Sequence, residues 1–403
     1  MQKENAALEH SVLFPLLPLS VENTLFLHKA NLNMKSIYEK YQLRHVINAS
    51  GRMTMLGVST PTPEVVERVA YGLNHYFEIK DLVNKTGDYI AELLNVESAV
   101  VVSCASAGIA QAVAAVIVKD DDDLLLNLHS STKSVPREII LPKGHNVNFG
   151  APVDTMVALG GGKVIEAGFA NECNAAQLAA KITPQTAAIL YIKSHHTVQK
   201  SMLTVADAAQ VAHAHQLPLI VDAAAEEDLT TYYQAGGDLV IYSGAKAIEG
   251  PTSGLVMGKK QYVEWVKRQS QGIGRAMKVG KEGILGLTLA IEQYLTATKE
   301  SGAEMVNRMS KFIADLNAIA GISAKVVWDA AGRDIARTEI SFDEKSIGKT
   351  TYQIMAELKQ GDTAIYFREY KANEGKVEAD IRSVSTEQLE VISQQIRRLV
   401  EGI

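Results

Sequence analysis

Lys246 stands where a cation is costly. The segment DLVIYSGAKAIEGPTSG (238–254) runs apolar and β-branched positions into Tyr-Ser-Gly-Ala and then this lysine. Burial lowers the pKa of an amine until its neutral form can attack a carbonyl and form a Schiff base. Upstream, LPLIVDAAAEEDL closes an apolar strand with Asp222. A carboxylate at the carboxyl end of a buried parallel strand sits where ligands of open α/β sheets bind. The plainer readings are a helix-capping Asp222 and a salt bridge to Lys246, although a buried ion pair is a weak stabiliser. Glu226, Glu227 and Asp228 read as a solvated or dipole-favoured first turn. A third piece is VVVSCASAGIAQAV, where a strand ends at Ser103 and small residues lead into a helix starting near Ala107. The N–H groups of Ser106, Ala107 and Gly108 would face an anion with the helix dipole behind them, and Ser106 adds a hydroxyl.

The chain lacks GxGxxG and GxxxxGK[ST], so neither a dinucleotide nor a P-loop nucleotide is indicated. An anion turn, a carboxylate and a Schiff-base lysine, each at a strand end, meet the requirements of pyridoxal 5′-phosphate. The carboxylate keeps the pyridine nitrogen protonated, the lysine takes the aldehyde and the helix N-terminus takes the phosphate. Ser243, three residues before Lys246, could reach that phosphate.

Such a site needs strands whose ends lie side by side. SAVVVS, REIILP, KVIEAG, AAILYI, LPLIVD, DLVIYSG and SGLVMG are near-continuous apolar runs with helical segments between several of them. This predicts an α/β fold with a mostly parallel seven-stranded sheet covered on both faces. TPEVVERVAYGLNHYFE (62–78) reads as a helix with a threonine cap and Pro at its first position, and KTGDYIAELLNV continues as helix. After about residue 299 the strands AKVVWD, RTEISFD, TAIYFREY and KVEADIR are shorter, more polar and read as antiparallel, followed by the amphipathic TEQLEVISQQIRRLVEGI. The division predicted is an N-terminal extension (1–33), an N-terminal arm (34–60), a large domain (61–298) and a smaller α+β C-terminal domain (299–403).

The 403 residues are enough for one large and one small core. A net charge of −6 argues against nucleic acid or an anionic membrane as partner. Two cysteines without metal-type spacing exclude a disulfide framework and suit a reducing, cytoplasmic setting. No apolar run reaches the roughly 18–20 residues of a membrane span, and VLFPLLPL near the start follows acidic residues and lacks a clear cleavage site.

The chain resembles the fold-type I (aspartate aminotransferase superfamily) pyridoxal-phosphate enzymes, in the branch related to bacterial selenocysteine synthase. VINASGRMTMLGVS (46–59), SCASAGIAQAV (103–113), KGHNVNFGAPVDTMVALGGGKVIEAG (143–168), VDAAAEEDL (221–229), DLVIYSGAKAIEGPTSGLVMGK (238–259) and GIGRAMKVGKEGILGL (272–287) carry the resemblance. It implies an aspartate-aminotransferase-like fold and a homodimer or larger homo-oligomer. It makes Lys246 the cofactor-bearing lysine and the base at Cα, and Asp222 the partner of the pyridinium. Ser106, Ala107 and Gly108 would hold the phosphate with Ser243. His145 would lie flat on the cofactor ring. His195, with His196, would face the substrate or the cofactor's 3′-oxygen, and no metal is implied. Arg368 would bind the substrate carboxylate, and Arg275, Lys278 and Arg52 are further substrate-side cations, with Lys281 beside them. The implied reaction releases ammonia from a 2-amino sugar acid phosphate by α,β-elimination of the C3 hydroxyl and hydrolysis of the resulting imine, giving a 2-oxo-3-deoxy acid. The leaving hydroxyl needs a general acid, with His145, His195 and water all open. The alternative is β-elimination or β-replacement on another amino acid, including a selenocysteine-synthase-like transfer.

Overall fold

The computed structural model describes residues 37–194, 197–329 and 333–402. The extension 1–33, His195 and His196 lie outside the described residues.

Seven strands build the main sheet: β2 (Ser98–Val102), β3 (Glu138–Pro142), β4 (Lys163–Ala167), β5 (Thr186–Ile192), β6 (Leu219–Asp222), β7 (Leu239–Ser243) and β8 (Gly254–Gly258). Their order is β2-β8-β7-β6-β5-β3-β4. All pair in parallel except β8, which runs antiparallel to both β2 and β7. The apolar runs read in the sequence are these strands, buried along nearly their whole length because helices cover both faces.

Side chains alternate between two cores, as the two-residue period of a strand requires. Ile189, Tyr191, Leu219, Val221, Val240 and Tyr242 face one cluster. Leu190, Ile192, Ile220, Leu239 and Ile241 face the other, which they share with a buried helix, α3 (Ala105–Val118). By the same alternation Asp222 and Ser243 point to the α3 side.

Before the sheet come α1 (Pro63–Asn74) and α2 (Ile79–Leu94). α1 starts where the sequence predicts: Thr62 accepts from the Val65 N–H and Pro63 takes the first helical position. It stops at His75, earlier than the pattern suggests, and the chain is extended there before α2 begins.

After the sheet, α4 (Lys281–Thr296) leads to α5 (Gly302–Asn317), which starts with a Ser301–Glu304 capping box. The C-terminal body contains β9 (Ile322–Trp328), β10 (Ala336–Phe342), β11 (Thr363–Phe367), β12 (Lys376–Ala379) and α6 (Thr386–Glu401). β12-β10-β9 is antiparallel, as expected. β11 is not part of it. It pairs in parallel with β1 (His45–Ala49) from the start of the chain. Ile47 and Ala49 are buried in the same core as Phe312, Ile340, Ile365 and Ile392. The segment read as a separate arm therefore packs as a strand of the C-terminal body. Among the described residues no helix is long and apolar enough to cross a membrane.

Candidate active site

β6 and β7 are hydrogen-bonded neighbours with Asp222 opposite Ile241, so the turn after Ser243 brings Lys246 beside the end of β6. Asp222 is buried, and Oδ1 accepts the Ala224 N–H at 3.0 Å. Burial pushes its carboxyl up to about 6; that hydrogen bond and the nearby Lys246 charge pull the other way. Desolvation lowers the Lys246 pKa, against the pull of Asp222. Among the described residues the Lys246 ammonium has no hydrogen-bond or ion-pair partner. The turn that carries it is pinned: Ser59 Oγ donates to the Ala245 carbonyl at 2.7 Å, and the Gly244 N–H donates to Ser253 O at 2.9 Å.

The anion turn begins two residues earlier than the sequence suggested. α3 starts at Ala105 with Cys104 as its cap, and Cys104 Sγ lies 3.3 Å from the Ala107 nitrogen as acceptor. The Gly108 N–H already donates to Cys104 O at 3.0 Å, closing the first helical turn, so it is not available to an anion. Gly108 serves packing instead: a Cβ there would meet Ile241 and Val256 at 3.0 and 3.1 Å. The N–H groups of Ala105 and Ser106 have no acceptor among the described residues. Gly254 makes room for this turn, since a Cβ on it would sit 2.6 Å from the Cys104 carbonyl carbon and 2.8 Å from the Ala105 nitrogen. Ser243 is the register partner of Gly254 and so stands next to the same turn.

His145 ends a short 3-10 turn after β3 and is fully buried, not a surface-loop residue. Its ring stands edge-on to Tyr191, with centroids 4.5 Å apart and planes at 81°. Nε2 lies 3.2 Å from the Val198 carbonyl oxygen, which fixes the proton on Nε2. Nδ1 is buried without a partner. Burial drops the pKa to about 4, so the imidazole is neutral at physiological pH. His145 as placed is therefore not a general acid, and with no exposed surface it has no open face for a cofactor ring.

The substrate-side cations divide between two places. A cleft of about 460 Å³ runs past the lysine turn and is lined by Arg52, Glu227, Glu249, Lys299 and Arg382, among others. Arg52 follows the turn at the end of β1, where the Asn48 side chain donates to Gly51 O at 2.8 Å. Arg52 bonds Glu249 at 2.7 Å and Glu227 at 3.4 Å. Arg382, just after β12, is gripped by Asp380. Arg368 is not part of this cleft: it pairs with Glu378 at 3.4 Å and lies over the Tyr370 ring. The small-body arginine that reaches the cleft is Arg382, which the sequence reading missed. Its signal was ADIR, an arginine beside the aspartate that could orient it. Arg275 and Lys278 line a different cavity, beside the edge strand β2. Lys281 caps the end of α1 by donating to the carbonyls of Leu73 and His75.

The acidic triplet also separates. Glu226 accepts from the Tyr232 hydroxyl, and Asp228 accepts from the N–H groups of Thr230 and Thr231 at the next helix start. Glu227 turns to the arginines.

These residues fit pyridoxal 5′-phosphate. Asp222 is a buried carboxylate in want of a cation, Lys246 a partly desolvated amine without a partner, and the α3 start has open N–H groups in a space a single Cβ would fill. The fold and this strand-end trio define a fold-type I, aspartate-aminotransferase-like chain. It matches the profile of the L-seryl-tRNA selenium transferase family over residues 46–383 and belongs to that family. It is 42% identical to D-glucosaminate-6-phosphate ammonia lyase of Salmonella typhimurium, across 91% of this chain and 98% of that one. A 5'-C-glycyluridine monooxygenase-decarboxylase from Streptomyces sp is 35% identical across 90% and 91%. The solved structure of a D-glucosaminate-6-phosphate ammonia-lyase superposes with a TM-score of 0.86 at 41% identity, covering 91% of this chain and 98% of that one. Aspartate aminotransferase of Thermus thermophilus shares the fold, with a TM-score of 0.51 at 14% identity over 92% and 96%.

Proposed function

We propose that this chain is a pyridoxal-phosphate-dependent ammonia-lyase that converts D-glucosaminate 6-phosphate to 2-dehydro-3-deoxygluconate 6-phosphate and ammonia. What carries the reading is the Asp222–Lys246 pair at adjacent strand ends, in a chain 42% identical over nearly its full length to such a lyase.

Ala105 and Ser106 N–H groups, with the Ser106 and Ser243 hydroxyls, would hold the cofactor phosphate. Asp222 would hold the proton on the ring nitrogen, and Lys246 would hold the aldehyde carbon. When bound, the cofactor supplies an electron sink for the pair left at Cα. Lys246, freed by the substrate amine, takes the Cα proton; the burial that lowers its pKa favours the neutral amine this step needs. Arg382 and Arg52 receive the substrate carboxylate, in place of Arg368. Lys299, on the same cleft, is a cation for the distal phosphate. The C3 hydroxyl leaves as water, with Lys246 or solvent as the proton source, since neutral His145 presents only a bare Nδ1. Water lost across C2–C3 is regained when the resulting imine hydrolyses to ketone and ammonia, so no oxidant is required. In a homo-oligomer, Arg275 and Lys278 would serve a neighbouring subunit.

The test is direct. The purified protein is yellow, Lys246→Ala is not, and ammonia and 2-oxo acid appear together from D-glucosaminate 6-phosphate. Activity on L-serine with none on the sugar acid phosphate, or a colourless protein that cannot be reconstituted, overturns the reading. A second reading draws on the 35% identity to a monooxygenase-decarboxylase. It requires oxygen consumption and carbon dioxide release, which an oxygen electrode and a coupled carbon dioxide assay measure separately.

A further inference from the structure

Glu227 bridges the two arginines of the cleft with one oxygen. Oε1 lies 3.4 Å from Arg52 Nη1 and 3.4 Å from Arg382 Nη1. Both separations exceed the roughly 2.7–2.9 Å of a strong charge-assisted bond. Each arginine has a tighter partner elsewhere: Glu249 on Arg52 Nη2 at 2.7 Å, and Asp380 on Arg382 Nε and Nη2 at 2.9 and 2.8 Å. The edges these partners leave open are the ones Glu227 touches. The Tyr294 hydroxyl donates to the Glu227 carbonyl at 2.5 Å, which anchors the backbone and leaves the carboxylate, 30% exposed, free to turn away.

We propose that Glu227 is an internal carboxylate that occupies the substrate-carboxylate seat between Arg52 and Arg382 in the free enzyme, and that substrate enters by exchange with it. This rests on the reading above that the two arginines receive the substrate carboxylate. An amino sugar without a carboxylate leaves Glu227 in place, so the seat selects sugar acids over neutral amino sugars. The cost to substrate is an apparent affinity reduced by the fraction of time Glu227 holds the seat. For a part-exposed ion pair that is about two- to fivefold.

The experiment measures the Kd of the holoenzyme for gluconate 6-phosphate by calorimetry. This ligand carries the carboxylate and phosphate but no reactive amine. Glu227→Gln and Glu227→Asp, which keeps the charge but shortens the reach, each bind it about two- to fivefold more tightly. Glu300→Gln is the control for loss of one negative charge, since Glu300 lines the same cleft but pairs with Arg308. The control leaves the Kd unchanged. No tightening in the Glu227 variants, or equal tightening in Glu300→Gln, overturns the exchange. Wild type that releases no ammonia from D-glucosaminate 6-phosphate while both Glu227 variants still tighten sinks the substrate reading and leaves the exchange standing.

Discussion

Asp380 holds Arg382 by two parallel hydrogen bonds, Nε to Oδ1 at 2.9 Å and Nη2 to Oδ2 at 2.8 Å. The same carboxylate accepts Arg337 Nε at 3.1 Å and is fully buried. These guanidiniums hold the Asp380 carboxyl well below the usual carboxylate range, against its burial. Asp380→Asn removes the charge that both arginines need. Arg337 keeps its pairing with Asp329 at 2.8 Å, so the loss falls mainly on part-buried Arg382 and costs about 1.5–3 kcal/mol, read as a lower denaturation midpoint. KM for the sugar acid rises as well, because Arg382 loses its orientation. The sign of the pH dependence follows. A carboxylate with a depressed folded value stabilises fully above its ordinary value, near 3.9, and loses that contribution as pH falls toward the folded value. Asp329, bonded to Arg333 and Arg337, behaves the same way. Wild type therefore sheds stability below about pH 4 more steeply than Asp380→Asn.

Asp222 has the opposite sign. Its folded value of about 6, against 3.8, means the unfolded chain ionises first as pH rises. The cofactor-free protein thus loses stability between about pH 4 and 6, by roughly 3 kcal/mol. Asp222→Asn recovers most of that at pH 7.5 in urea denaturation and abolishes ammonia release. A variant no more stable than wild type at pH 7.5 would contradict the burial argument.

Arg382→Ala and Arg368→Ala separate two places for the substrate carboxylate. Truncating the arginine that meets it removes about 2–5 kcal/mol of binding, so kcat/KM falls by roughly 30- to 5,000-fold in Arg382→Ala. Arg368→Ala, whose partners are Glu378 and the Tyr370 ring, changes kcat/KM by less than about fivefold.

Gly254→Ala tests the anion turn. The added methyl cannot coexist with the Cys104–Ala105 peptide 2.6–2.8 Å away, so the turn must shift. Retention of cofactor on dialysis weakens at least about tenfold, and stability falls by about 1–3 kcal/mol.

The strands of the main sheet were legible because buried parallel strands are unbroken apolar runs, and VVV, IVD and LVIY leave little else to choose. Asp222 and Lys246 were legible because a charge ending such a run is conspicuous. Arg382 was not. Its selection over Arg368 depends on Asp380, a buried partner two residues away, and on how β12 approaches the end of β1. The parallel direction of β11 was hidden too, because a strand's residues state its burial and not its partner. The cap at Cys104 was missed because a thiol is a rare helix cap, and the helix start was therefore placed too late.

β1 and β11 are paired, yet 318 residues separate His45 from Thr363. At a synthesis rate of about 5–20 residues per second, β1 waits roughly 15–60 seconds on the ribosome for its partner. Through that interval Val46 and Ile47 sit on an open strand edge, a template for pairing with other chains. The first strand among the described residues thus cannot complete its pairing until Thr363–Phe367 has been made, so growth temperature and chaperone supply are expected to bear on yield through β1.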